Sequence, residues 1–302
     1  MHLVDDYPAR VSQPPQPARP AFLDRNGAHA VQEYRREALA GFLQSRRARV
    51  APDPAWPVVD LRTPRRVPGM RREELAWAAG VSVDYYTKLE QARAMHPSSA
   101  VVESLASVLG LGELDRRYLL ALASLSPVSD PGEKPAVTAA AEETLRRIGD
   151  QMRSAVMLHL LSSDLMIRSL DRSTAAVLYP DPGSRPPEGT DVSLPAYIFA
   201  EPLSRRVYLD WWDKAREVVG LAHLSLATTI PSARLLATVA ELWETSAPFR
   251  DLWARFDPYE KGEGMWRLHL GAEGAGLCRF ATVQTPACRD ISLVVYHRVE
   301  GG

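Results

Sequence analysis

Two hydrophobic rhythms divide the chain. Between 31 and 125 apolar side chains recur at helical spacing, whereas alternating runs appear near the C-terminal end. The spacing predicts a first helix over 31–50, with Tyr34, Ala38, Phe42 and Leu43 on one face. Leu75, Ala76 and Ala79 mark a short amphipathic helix. Gly80-Val81 then supplies a tight turn, and Ser82 is placed to cap a second helix that buries Tyr86 and Leu89. Pro97 and Ser98 open another helix, whose stripe is Val101, Val102, Leu105, Val108 and Leu109. A last helix over 113–123 carries Tyr118, Leu119 and Leu122. These patterns predict an all-α domain of five helices over 31–125.

A different alphabet follows. SPVSDPGEKPAVT reads as a linker, assigned to 126–139, and 140–302 reads as an α+β domain. Runs at 156–161 and 164–170 are expected to pair as strands, and a helix is expected over 205–222. A helix pair broken at Pro248 is expected over 232–256, and strands over 265–270, 277–283 and 291–297. Residues 1–30, with Pro8, Pro14, Pro15, Pro17 and Pro20, read as a disordered tail. A basic, proline-rich loop over 52–68 includes Arg62, Arg65 and Arg66.

Charge changes this picture more than composition does. The 302 residues carry a net charge of -1, which by itself argues against a polyanionic partner. Yet 35–99 holds 12 Lys and Arg against 7 Asp and Glu, a net +5. From 128 onward the counts are 19 and 23, a net -4. Such asymmetry is expected when one domain alone meets nucleic acid. No apolar run approaches the ~18 residues that span a bilayer, and the acidic, proline-broken start is no secretory leader, so a cytoplasmic protein without membrane contact is expected.

The segment RREELAWAAGVSVDYYTKLEQ has the layout of a helix-turn-helix. Ala76 stands where two helices approach closely, and Gly80 stands four residues later in the turn. Such a unit presents the start of its second helix to the major groove of double-stranded DNA. Val83, Asp84, Thr87 and Lys88 are the candidate base-reading residues, flanked by Ser82 and Tyr85. Arg71 and Arg72, at the start of the preceding helix, and Arg93 beyond the second are candidate phosphate contacts, with Arg65 and Arg66 as further ones.

The longer run GMRREELAWAAGVSVDYYTKLEQARAMHPS resembles the signature of actinobacterial helix-turn-helix regulators of the XRE superfamily, within them the MmyB-like group. There a pattern close to LRREEVAxLAGVSxxYYxxLEQGRxxxPS recurs. Arg206-Val207-Tyr208 with Asp210-Trp211, Glu241-Leu242 with Ser246 and Phe249, Trp253 with Asp257, and Leu293-Val294-Val295-Tyr296 resemble the same group's second domain more weakly. The resemblance implies a transcription regulator whose C-terminal domain is PAS-like and holds a fatty-acid-like or other apolar small molecule. Ala92 stands where the family places a glycine, so the exit turn of the second helix is expected to differ. Ser169 replaces a common asparagine, and the usual His-Pro-x-x-Gly survives only as His269-Leu270-Gly271.

Five of the seven tryptophans lie in the second domain, where helical spacing makes Trp211, Trp243 and Trp253 either core or pocket wall. The candidate ligand-facing set is Met166, Tyr208, Trp211, Trp212, Trp243, Phe249, Trp253, Trp266 and Phe280, with His269 as polar anchor. His159, His223, His269 and His297 lack metal-ligand spacing, so neither a metal nor a cofactor is expected. Cys278 and Cys288 read as buried thiols or a redox pair. Without a phosphate loop or nucleophile elbow, an enzyme is not expected. The sequence thus predicts a homodimer on a palindromic operator, modulated by an apolar effector. The alternative is a regulator whose second domain is a ligand-free dimerisation or protein-interaction scaffold.

Overall fold

In the computed structural model, which describes residues 19–25, 27–54, 56, 69–94, 96–123, 135–152, 155–229, 232–286 and 288–299, the apolar stripe of the first helix sits at the centre of the molecule. Helix α1 (Gly27–Arg47) buries Tyr34, Ala38, Leu39, Phe42 and Leu43. The rest of its bundle is α2 (Arg72–Ala78), α3 (Val83–Glu90), α4 (Ser99–Val108) and α5 (Glu113–Ala123). Their ends follow capping chemistry: the Ser82 and Ser98 hydroxyls accept the backbone N–H groups of Tyr85 and Val101. The five predicted helices are all present.

The second half is a six-stranded antiparallel sheet with helices on both faces. Its strands are β1 (Met157–Ser162), β2 (Met166–Arg168), β3 (Val192–Ser193), β4 (Glu263–His269), β5 (Ala275–Thr285) and β6 (Cys288–Arg298), in the order β3-β2-β1-β6-β5-β4. Helix α6 (Pro135–Asp150) lays Ala141 and Leu145 on the outer face, over Leu160, Ile291, Leu293 and Val295. α7 (Arg172–Leu178) lies between β2 and β3. Between β3 and β4 come α8 (Leu194–Ala200), α9 (Leu203–Val207), α10 (Trp211–Thr228), α11 (Ala233–Thr245) and α12 (Ala247–Trp253).

Three expectations change. The predicted tail does not extend to residue 30: Ala21–Asp24 form a 3-10 turn that buries Phe22, edge-on to Tyr34 at 5.2 Å and stacked on Trp253 at 6.1 Å. One large aromatic ring with an apolar seat suffices to order a short polar segment. The predicted linker is cut short by α6, whose amphipathic face has a sheet to cover. The helix expected over 205–222 splits because Tyr208 turns extended and bridges to Leu268 of β4. Residues 1–18 of the tail, 57–68 of the basic loop with Arg62, Arg65 and Arg66, and 124–134 of the linker lie outside the described residues.

The largest buried cluster runs without a break from the helical bundle into the second domain. α10 packs on both α1 and α5, and the 3-10 turn rests on α11. What the sequence presents as two units shares one core.

Candidate functional site

The helix-turn-helix is closed by backbone geometry first. Gly80 sits at φ +67°, a left-handed conformation that glycine adopts without penalty, and Val81 N–H then reaches Ala76 C=O at 3.0 Å. The exit of α3 keeps the left-handed turn as well, with Ala92 at φ +56°. The expected change of turn at Ala92 therefore does not occur. Ser169 similarly takes φ +45° at the position where a left-handed-tolerant asparagine is common.

On α3, Ser82, Val83, Asp84 and Lys88 are exposed, while Tyr85 and Thr87 are half-buried. Lys88 Nζ pairs with Asp84 Oδ2 at 2.7 Å, one helical turn back. Tyr86 and Leu89 point inward, as their spacing predicts. Arg93 is exposed just beyond the helix, and Arg71 and Arg72 are half-buried at the start of α2.

Arg72 is more than a surface cation. Its Nε lies 2.6 Å from Oε2 of Glu90, a buried carboxylate that also accepts from Tyr86 OH at 2.7 Å and from both Nε and Nη2 of Arg47. Burial raises the Glu90 carboxyl, but hydrogen bonds from Arg47, Tyr86 and Arg72 outweigh it and hold the group below its ordinary range. Glu90 thus locks α1, α2 and α3 together. Sequence reading overlooked it because the Glu of a Leu-Glu-Gln run looks like solvent surface.

The face of α1 opposite α3 meets the second domain. Tyr34 OH lies 2.8 Å from both Tyr118 OH and His223 Nδ1, and His223 Nε2 lies 3.0 Å from Trp253 C=O. Burial pulls the imidazole down to about 4, so it is neutral at pH 7. Arg46 holds Asp115 at 2.9 Å and Asp257 at 2.8 Å, and Arg49 holds the same Asp257 at 2.7 Å. Arg117 pairs with Glu260, and Arg35 donates to Ala227 C=O at 2.9 Å.

The ligand-facing set does not converge on one place. Trp253 packs against Tyr34 of α1 with Phe249 behind it on Phe199, and Trp243 and Trp253 border a cavity of about 250 Å³ together with Phe22, Tyr34 and Phe256. Trp211 is core, its Nε1–H satisfied by Ile198 C=O and Ser204 Oγ at 3.1 Å each, and Trp212 packs edge-on against it at 5.0 Å. Met166 is buried on β2. Tyr208, Trp266 and Phe280 do come together on the inner face of the sheet. His269 does not join them: on β4 it alternates outward with Met265 and Arg267, since the strand period of two sends it to the face opposite Trp266. Cys278 and Cys288 are free, buried and at opposite ends of the β5–β6 hairpin.

Around Tyr208, Trp266 and Phe280 lies a buried ionic cluster that sequence reading missed. Glu217 Oε1 takes Lys214 Nζ at 2.6 Å and Lys261 Nζ at 3.1 Å, with all three side chains almost wholly buried. Lys261 also lies 3.4 Å from Tyr296 OH. Lys214 and Glu217 lie one turn apart on α10 beside a second i,i+3 pair, Asp213 and Arg216, which is exposed, so the sequence alone did not tell the buried pair from the solvated one.

The residues that hold this cluster also touch the helical bundle. Gly220 of α10 lets the segment 257–259 lie on the helix backbone, because a Cβ there would come within 2.7 Å of Asp257 C=O. The run 257–261 offers Asp257 and Glu260 to arginines of α1 and α5 and Lys261 to Glu217.

Among the described residues no helix is long and apolar enough to cross a membrane, and no group of three His, Cys, Asp or Glu is placed to hold a metal ion. No curated protein matches the chain. Two family models do: a helix-turn-helix domain over 38–119 and an MmyB-like transcription regulator ligand binding domain over 172–301. Neither is a family of enzymes. A DNA-binding module is thereby joined to a ligand-binding one, and the chain is a helix-turn-helix transcription regulator of the MmyB-like group.

Proposed function

We propose that this regulator binds a palindromic operator as a homodimer and that a small molecule with an apolar body, held in the second domain, modulates that binding. Half-sites then lie about one helical turn (~34 Å) or a multiple apart. The DNA-binding part is 31–125 and the effector part 140–302. Val83, Asp84, Thr87 and Lys88 choose the sequence, while Arg71, Arg72 and Arg93, with Ser82 and Tyr85 beside them, set the register on the backbone.

One observation carries the reading: the helix that Glu90 locks to α3 is the helix whose Tyr34 bonds His223 of the ligand-binding domain. A ligand alters DNA binding only by favouring one arrangement over another, and a shared core is a route for such a preference. The aromatic packing of Trp211, Phe249 and Trp253 leaves the inner face of the sheet, near Tyr208, Trp266 and Phe280, as the effector region.

The test is salt-dependent binding to a selected operator and to random duplex. Lys88→Ala should lose about 1–3 kcal/mol on the operator alone, whereas Arg93→Ala, at an exposed position beyond α3, should weaken both duplexes alike and reduce the salt slope by about one. Equal losses from both variants on both duplexes would overturn the assignment. Native mass spectrometry of the full chain reads the dimer and any co-purified small molecule.

A further inference from the structure

The inner face of the sheet holds polar atoms with nothing to bond. Among the described residues, the buried side-chain atoms lacking a hydrogen-bond partner are His159 Nδ1 and Nε2, Glu217 Oε2, Trp266 Nε1 and Thr282 Oγ1. They belong to one neighbourhood. Thr282 pairs with Val294, and Val294 pairs with His159, so these residues form one row across β5, β6 and β1 and project to the same face. Tyr296 lies in the adjoining row, 5.9 Å from the His159 ring, and Lys214 Nζ sits 5.2 Å from the Trp266 ring. Each orphaned polar group costs roughly 1–3 kcal/mol. Such a concentration in an otherwise well-bonded protein marks a place built for an occupant.

The inventory defines that occupant. Two ammonium groups share one carboxylate, leaving an excess of positive charge. Trp266 Nε1–H, one imidazole N–H and the spare ammonium hydrogens all seek acceptors, whereas Glu217 Oε2 seeks a donor. A plain cation fails on charge, and an alkyl chain satisfies none of the groups. A carboxylate meets the donors, and a hydroxyl beside it can donate to Glu217 Oε2. The rings of Tyr208, Trp266 and Phe280 offer an apolar wall for the remainder.

We propose that the Lys214–Glu217–Lys261 cluster is the head-group site of the ligand-binding domain and takes a hydroxy acid, its carboxylate on the lysines and its hydroxyl on Glu217. This rests on the effector reading above and adds the chemistry of its recognition. Protonation supports it. Burial, aided by the neighbouring Lys261 charge, pulls Lys214 down to about 7 against the opposing pull of Glu217. Burial raises Glu217, but both ammonium groups outweigh it and keep the carboxylate ionised. Burial and the two lysines keep His159 neutral. The groups facing Lys214 are Glu217 on its own helix, Lys261 before β4, His159 on β1 and the phenols Tyr208 and Tyr296. A carboxylate arriving among them restores the Lys214 proton, so binding near pH 8 takes up protons.

The experiment is titration calorimetry of the full chain with 2-hydroxydecanoate, decanoate and decanol, at pH 8 in phosphate and in Tris. The expected order is hydroxy acid tighter than acid by about tenfold and acid tighter than alcohol by at least as much, since a hydrogen bond to a charged group is worth ~1.5–3 kcal/mol. The apparent enthalpy should differ between the buffers, reporting proton uptake. Glu217→Gln should erase the preference for the hydroxyl while retaining the acid. Should that variant not fold, the carboxyl resonance of 1-¹³C-labelled decanoate on the native chain reads the carboxylate's contact with the lysines, and the resonance of 2-¹³C-labelled 2-hydroxydecanoate reads the hydroxyl's contact with Glu217. Equal affinity for all three probes would overturn the head-group site and leave an apolar effector site standing. No binding of any probe by a chain that still binds DNA would overturn it too, as would a crystal structure with ordered water alone on the five orphaned atoms.

Discussion

Two buried carboxylates, Glu90 in the DNA-binding domain and Glu217 in the ligand-binding domain, stand in opposite situations. Both Glu90 oxygens are occupied, by Arg47, Tyr86 and Arg72. Only one oxygen of Glu217 is, although two ammonium groups crowd around it. A fully satisfied network rigidifies what it joins, whereas a partly satisfied one is costly unless something completes it. The first is a lock that holds α3 in place. The second has the composition of a receptor.

The sharpest way to break the comparison is to remove the lock. Glu90→Ala leaves the Arg47 guanidinium buried without its partner and should cost about 3–5 kcal/mol, read from the urea midpoint. A loss below 1 kcal/mol would show that Glu90 is not structural. Next comes pH. His223 is neutral in the fold at about 4 and titrates near 6.5 when unfolded, so its contribution is intact above 6.5 and lost as pH falls toward 4. His159 acts in the same direction. Stability should fall by up to about 3 kcal/mol across that window on account of His223, and His223→Phe should flatten the slope. A native chain with no slope there would contradict the buried Tyr34–His223 contact.

A smaller effect tests the exit turn of α3. Ala92 holds φ +56°, so Ala92→Gly should stabilise the chain by about 1 kcal/mol in the same denaturation assay. The smallest effect bears on the receptor. Lys214→Met removes an ammonium from a cluster with one to spare and should change stability by less than about 1 kcal/mol. A penalty as large as that of Glu90→Ala would make the two clusters equivalent and end the contrast.

Much of this was legible in the residues. Ala76, Gly80, Ser82, Tyr86 and Leu89 specify the helix-turn-helix through rules that operate within one or two turns, so α2 and α3 emerge where local chemistry puts them. The β5–β6 hairpin and the outward and inward alternation on β4 are local in the same sense, although His269 was placed on the wrong face. Lys214, Glu217 and Lys261 were not legible. A charged residue in a helix reads as solvent surface, and 44 residues separate Glu217 from the second lysine. Tyr34 and His223, 189 residues apart, were likewise invisible as a pair.

The sequence by itself determined the helical bundle, its recognition helix, five of the six strands and the basic-to-acidic asymmetry, because periodicity, capping and charge act between near neighbours. The two-residue β3 is too short to show a period. Only the tertiary structure decided that the two domains share one core and that two lysines and a glutamate meet beneath the sheet. Those outcomes depend on which apolar faces find each other, and burial then changes what a charge costs and what it can bind.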